Sequence, residues 1–266
     1  MKKLSTILVL ALSVALAGCS TGGKTTGDGG TKDEVQAIKD KGTLKVGVKV
    51  DVPNFGYKDP STGKIEGFEI DIAKAVAKKI LGDENKVDLQ AVTAKTRGPL
   101  LDSGEADMIA ATFTITEERK QSYNFSEPYF VDAVGLLVKK DSGIKSFKDL
   151  DGKKIGVAQS ATSKTALQAE ADKLGIKVEF SEFASYPEIN TALTSGRVDC
   201  FSVDGSILSG YVNDSAEILP DKFSPQDYGI ASKKDNTALA KVIDDTIKEL
   251  KSNGELDKLK TKWGLK

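Results

Sequence analysis

Histidine is absent from this 266-residue chain. That removes the commonest general base near neutral pH and the commonest metal ligand, so neither a catalytic group nor a metal site is expected, and no cofactor. Cysteine is nearly absent: Cys19 and Cys200 are the only two. If Cys19 is consumed by processing, Cys200 has no partner and no intrachain disulfide forms. Cys200 lies in the strand-like run Arg197-Val198-Asp199-Cys200-Phe201-Ser202-Val203, where a thiol behaves as a small apolar side chain. Excess charge of either sign is also missing. A net charge of −1 implies no nucleic-acid partner and no charged-lipid surface. Beyond the first residues, no apolar run approaches the roughly 20 residues that span a bilayer.

What is present begins at the amino terminus. Met1-Lys2-Lys3 is a positive start, Leu4 to Leu16 is mostly apolar, and Leu16-Ala17-Gly18-Cys19 closes the segment. This is the layout of a secretory signal, and its ending resembles a bacterial lipoprotein lipobox. The resemblance implies a signal peptide over residues 1–18, a lipid on Cys19 and a flexible Gly/Thr-rich spacer over 19–33. The expected location is extracytoplasmic, with membrane contact through the N-terminal lipid alone.

Downstream, strand and helix signals alternate. Leu44-Lys45-Val46-Gly47-Val48 reads as a strand, and Ile72, Ala73, Val76, Ala77 and Ile80 recur at helical spacing until Gly82. Strands follow near Val87–Val92, Ala106–Ala110, Lys154–Ala158, Val178–Phe180 and Val198–Val203, with helices between them. Such alternation predicts an α/β architecture with largely parallel sheets. One internal echo stands out: Leu101-Asp102-Ser103-Gly104-Glu105-Ala106-Asp107 matches Leu193-Thr194-Ser195-Gly196-Arg197-Val198-Asp199 at Leu, Ser, Gly and Asp. It reads either as a coincidence of helix C-caps or as two similarly built lobes.

The densest chemistry is Thr112-Phe113-Thr114-Ile115-Thr116-Glu117-Glu118-Arg119-Lys120, followed by Asn124-Phe125-Ser126-Glu127-Pro128-Tyr129. Thr116 can cap a helix that has acidic residues in its first turn, while Thr hydroxyls and an Arg fork suit a carboxylate. Together with Gly67-Phe68-Glu69-Ile70-Asp71-Ile72-Ala73, these strings resemble the amino-acid-binding family 3 of bacterial extracellular solute-binding proteins, and look nearest to its aspartate/glutamate branch. The resemblance runs from about Leu44 to the C-terminus. It implies a periplasmic-binding-protein-like (type II) α/β fold with two lobes joined by two hinge strands around a cleft. Lobe 1 is expected over 34–136 plus 231–266 and lobe 2 over 137–230, with crossings near Gly135–Val138 and Asp227–Ile230.

The resemblance also assigns roles. Arg119 corresponds to the clamp on a ligand α-carboxylate, Thr114 adds a hydroxyl, and Thr112 lies nearby. Gln159-Ser160-Ala161-Thr162-Ser163 corresponds to a loop whose backbone N–H groups, at Thr162 and Ser163, hold the same carboxylate; the common form of that loop has Gly in place of Ser160. Asp204 corresponds to the partner of the α-ammonium. Arg97, in Ala94-Lys95-Thr96-Arg97-Gly98, corresponds to the Arg that meets a side-chain carboxylate. Phe55, Tyr57 and Tyr228 are candidate cleft walls. Charge counting supports an acidic ligand: Arg119 and Asp204 balance a zwitterion, leaving Arg97, with Lys49 as a second candidate beside it, as a spare cation that glutamine would leave unpaired. The expected function is therefore a monomeric, non-enzymatic receptor that hands glutamate or aspartate to an ABC permease/ATPase complex. Glutamine or another polar amino acid is the alternative. A dehydratase using Glu117, Glu118 or Glu127, and a surface adhesin, are more distant readings.

Overall fold

The structure, a computed structural model, describes residues 34–265; the signal, spacer and Cys19 expectations lie outside them. From the start, α1 (Glu34–Lys41) leads to β1 (Leu44–Val48) and a small meander of β2 (Asp51–Val52), β3 (Gly56–Lys58) and β4 (Ile65–Glu66). Then come α2 (Phe68–Leu81), β5 (Val87–Ala91), α3 (Arg97–Ser103), β6 (Met108–Ala110), α4 (Glu117–Ser122) and β7 (Tyr123–Phe125). A second series runs β8 (Phe130–Lys139), β9 (Lys154–Ala158), α5 (Ser163–Leu174), β10 (Glu179–Phe183), α6 (Tyr186–Thr194), β11 (Cys200–Asp204), α7 (Gly205–Leu208), β12 (Ala216–Ile218) and β13 (Phe223–Tyr228). The chain then returns through β14 (Ala231–Lys233) to α8 (Thr237–Ser252) and α9 (Glu255–Lys262).

Two sheets result. The first has the order β5-β1-β6-β14-β7, parallel across β5, β1 and β6 and antiparallel at β14. The second has the order β10-β9-β11-β8-β12, parallel across β10, β9 and β11, with β13 also paired to β8. Strand period two divides the cores of the first sheet. Met108 and Ala110 join the cluster that holds the buried face of α2, whereas Ile109 and Ala111 join a cluster with Leu101 of α3. The stripe read from the sequence is that buried face: Ile72, Ala73, Val76, Ala77 and Ile80 are inside, and Gly82 ends α2 in the left-handed region. Cys200 is buried and free, in the core of the second sheet.

The internal echo is structural. Asp107 Oδ2 accepts from the Lys45 backbone N–H at 2.8 Å, and its own N–H donates to Lys45 O at 2.9 Å. Asp199 repeats both bonds with Lys154, each at 2.8 Å. In both sheets the Asp that follows a helix and its left-handed Gly, Gly104 or Gly196, pins the neighbouring parallel strand.

The chain crosses between the sheets twice, over Ser126–Tyr129 and Gly229–Ile230. The crossings are bonded to each other: Ser126 N donates to Ile230 O at 3.0 Å, and Tyr129 N to Tyr228 O at 2.9 Å. The second lies where the sequence predicts it. The first does not: Gly135–Val138 sit inside β8, paired to β11 in the second sheet, so the chain has already crossed. The run Gly135-Leu136-Leu137-Val138 reads as a crossing strand because nothing local separates a buried strand from a hinge strand. Gly229 lies close under Ile115, whose Cδ1 would be 2.8 Å from a Cβ there and would have to shift to admit one.

Candidate functional site

The loops at the carboxyl ends of the parallel strands face each other. On the first side, β6 runs out into Ala111-Thr112-Phe113-Thr114. Thr112 has φ +44°, a conformation that is costly for a β-branched residue, and its N–H donates to Glu69 Oε1 at 2.6 Å. The Tyr129 hydroxyl donates to the same oxygen. Glu69 is wholly buried, and burial raises its pKa to about 7 against the opposing pull of those bonds and of Arg97 and Lys49. Arg97, at the start of α3, is 3% exposed. Its Nη1 donates to Ala111 O at 2.7 Å and Thr112 O at 2.9 Å, and its guanidinium sits 4.1 Å from the Phe113 ring centroid.

Arg119 projects from α4, whose first turn is capped by the Thr116 hydroxyl accepting from the Arg119 N–H at 3.1 Å. Its guanidinium also lies against Phe113, at 4.7 Å. Nη1 donates to Thr114 O at 2.7 Å, and Nη2 reaches across to Ser160 O at 3.0 Å. Ser160 has φ +61°, the region that favours glycine; hence Gly is the common residue there in the family the sequence resembles. Thr162 and Ser163 head α5, and the Thr162 hydroxyl donates to Gln226 Oε1 at 2.7 Å. Beyond Arg119, Ser160, Thr162 and Gln226 opens a groove of about 1170 Å³.

Asp204 ends β11 and accepts from the Tyr228 hydroxyl at 2.5 Å. Burial raises its pKa to about 7; the Tyr228 bond and the charges of Arg97 and Arg119 oppose this, while Asp132 adds to it. Tyr228 stacks on Phe130 at 5.9 Å and meets Phe55 edge-on at 5.9 Å. Phe55 is fully buried among Phe68, Phe130 and Tyr228, so it occupies the aromatic core beneath the loops. Tyr57 is 40% exposed on β3.

Lys49, the candidate companion of Arg97, has an acidic neighbour of its own. Its Nζ lies 2.9 Å from Asp51 Oδ1 and 4.3 Å from the Tyr186 ring centroid, with burial lowering its pKa. The Tyr211 hydroxyl donates to Asp51 O at 2.7 Å. Of the expected residues, Thr112, Thr114, Arg97, Arg119, Asp204, Thr162, Ser163, Lys49 and Tyr228 are brought together around these loops. Asp51, Glu69, Tyr186 and Gln226 are neighbours that sequence reasoning missed. Only Asp51 had a local signal, since Lys49 and Asp51 are two residues apart on an extended segment. Arg97 Nε, Glu69 Oε2 and Ser163 Oγ are buried without a hydrogen-bond partner among the described residues. The carboxylates weighed as general acids are exposed: Glu118 lines the outer groove, Glu117 is paired with Lys120 and Glu127 with Lys251.

An Arg fork, a helix N-terminus and a buried carboxylate thus converge from two α/β layers, a set of groups with the chemistry to hold a small zwitterion. The description of the bacterial extracellular solute-binding proteins, family 3, fits residues 44–266. The chain belongs to that family. It is 42% identical over 270 residues to the ABC transporter glutamine-binding protein GlnH of Bacillus subtilis, covering 99% of this chain and 97% of that one. It is 45% identical over 252 residues to the glutamine-binding protein of Geobacillus stearothermophilus, covering 90% and 95%. The glutamate/aspartate import solute-binding protein of Salmonella typhimurium is more distant, at 31% over 275 residues, covering 99% and 88%. Among solved structures, an ancestral arginine-binding protein bound to glutamine matches with a TM-score of 0.73 at 40% identity, covering 84% of this chain and 97% of that one. The fold is thus the type II periplasmic-binding-protein fold, in a solute-binding protein. Among the described residues no helix is long and apolar enough to cross a membrane.

Proposed function

We propose that this protein is the receptor of an amino-acid ABC importer and that its ligand is glutamine, with acidic amino acids bound more weakly. The observation that carries the ligand assignment is the pairing of Lys49 with Asp51 at 2.9 Å. Counting only Arg97, Arg119 and Asp204 leaves one spare cation, which favours an acidic side chain. With Lys49, Asp51 and Glu69 included, three cations face three carboxyl groups, a balance that is complete above pH 7, where Glu69 and Asp204 are ionised. A zwitterion with a neutral amide keeps that balance, whereas a dicarboxylate adds a buried negative charge, at a cost of several kcal/mol if unpaired. The glutamine-binding relatives of Bacillus subtilis and Geobacillus stearothermophilus, more similar to this chain than the glutamate/aspartate binder of Salmonella typhimurium, support the same reading.

In this account Arg119 and the N–H groups at Thr162 and Ser163 take the α-carboxylate, and Asp204 takes the α-ammonium. The amide side chain lies toward Arg97 Nε and the Lys49–Asp51 pair. Two lobes close over the ligand through the crossings at 126–129 and 229–230, and the permease reads the closed form. Anchorage is by lipid on Cys19. No residue acts as a catalyst.

Asp51→Asn tests the charge balance. Titration calorimetry of wild type and variant with glutamine and glutamate is expected to show the wild-type preference for glutamine narrowing by about tenfold or more, as freed Lys49 meets the extra carboxylate. An unchanged preference ratio would mean that the pair does not set ligand charge.

A further inference from the structure

Gln226 belongs to β13, the strand that leads from the second sheet back to the first, and is 1% exposed. Its Oε1 accepts two hydroxyls, from Thr114 at 2.8 Å and from Thr162 at 2.7 Å. Its Nε2 donates to Ser224 O at 2.9 Å, which leaves the oxygen end of the amide facing the hydroxyls. Thr114 extends from β6 of the first sheet, and Thr162 heads α5 beside β9 of the second. One buried oxygen therefore joins both sides of the cleft. Whichever side Gln226 follows when the lobes part, one of the two bonds must break. Each hydroxyl has a single proton, and in this arrangement it goes to Gln226 and not to a bound carboxylate.

We propose that Gln226 is a positioning residue that latches the cleft shut, with Thr114 and Thr162 as its two catches. The α-carboxylate is then left to Arg119 and to the backbone N–H groups at the start of α5. This rests on the ligand reading above for its binding arm, though not for its ligand-free arm. Ligand-free, the latch raises the population of the closed form; with ligand bound, it slows opening, so its energy appears in the dissociation rate.

Gln226→Met keeps side-chain length and removes the acceptor, and Thr162→Val removes one catch at a half-buried position. Stopped-flow measurement with glutamine is expected to show dissociation about five- to tenfold faster in each variant, with association within about twofold of wild type. The double variant is expected to match Gln226→Met, because the Thr162 bond ends on the oxygen already removed. Small-angle scattering of the ligand-free proteins is expected to give a larger radius of gyration for Gln226→Met than for wild type. Unchanged dissociation with equal radii, or multiplying effects in the double variant, would overturn the latch. If glutamine does not bind wild type, the ligand reading fails, and the scattering comparison alone decides the latch, equal radii overturning it.

Discussion

Asp204 and Glu69 are both carboxyl groups that burial raises to about 7, yet they act on different observables. Asp204 must be ionised to pair with a ligand ammonium. Below a pKa of about 7 the ligand has to displace a proton, so affinity is expected to fall by about tenfold per pH unit as pH drops from 7 toward 5. Calorimetry across that range checks this, and Asp204→Asn should bind weakly with a flat profile. Glu69 touches Thr112 and Tyr129 and is placed to shape the loop. Its folded pKa of about 7 lies above its ordinary 4.5, so between those values the native state holds a proton that the unfolded state releases. Stability is thus fullest below about 4.5 and declines as pH rises through 7. In Glu69→Gln the amide oxygen can still accept from Thr112, and the pH-dependent decline in the denaturation midpoint over that window should be smaller than in wild type. An unaltered decline would assign it to Asp204 alone.

At the scale of elements, the two Asp pins show what was legible in the chain and why. The repeated Leu-x-Ser-Gly-x-x-Asp pattern is local, and both copies leave a helix through a left-handed Gly and bond a strand with Asp. Asp107→Ala or Asp199→Ala would strip a partly buried N–H of its acceptor, and each is expected to cost about 1–2 kcal/mol by denaturant unfolding. Ser160, held at φ +61°, offers the opposite case: Ser160→Gly relieves left-handed strain and should stabilise the protein by up to about 1 kcal/mol, provided the loop keeps its conformation. The α2 stripe and the Thr116 cap were equally readable, because their signals lie within one or two turns. The first crossing was not, since Ser126 and Tyr129 bond to Ile230 and Tyr228, about a hundred residues away. Gln226 was invisible for the same reason. Its catches lie 112 and 64 residues distant, and nothing in Phe223–Tyr228 marks it.

Across the whole molecule, the sequence carried the α/β class and the family, and brought Arg119, Arg97, Asp204, Thr114 and the loop at Thr162 to one place. It did not show Asp51 and Glu69 beside the cations, because net charge in a pocket depends on which neighbours fold inward. Lys49 was a candidate companion of Arg97, and Asp51 stands beside it; Glu69 lies in a string that marks the family but carries no local sign that its carboxyl turns inward. Among the described residues, ties between the two sides include Arg119 to Ser160, Lys49 to Tyr186, Tyr211 to Asp51, and Gln226 to both threonines, four in all. Three of these involve residues that face the charge cluster, so ligand charge and closure are coupled in this account. The most direct test is titration calorimetry of wild-type protein with glutamine and glutamate near pH 7.5. The account predicts micromolar or tighter binding of glutamine and binding of glutamate weaker by about tenfold or more; glutamate binding as tightly as glutamine, or more tightly, would contradict it.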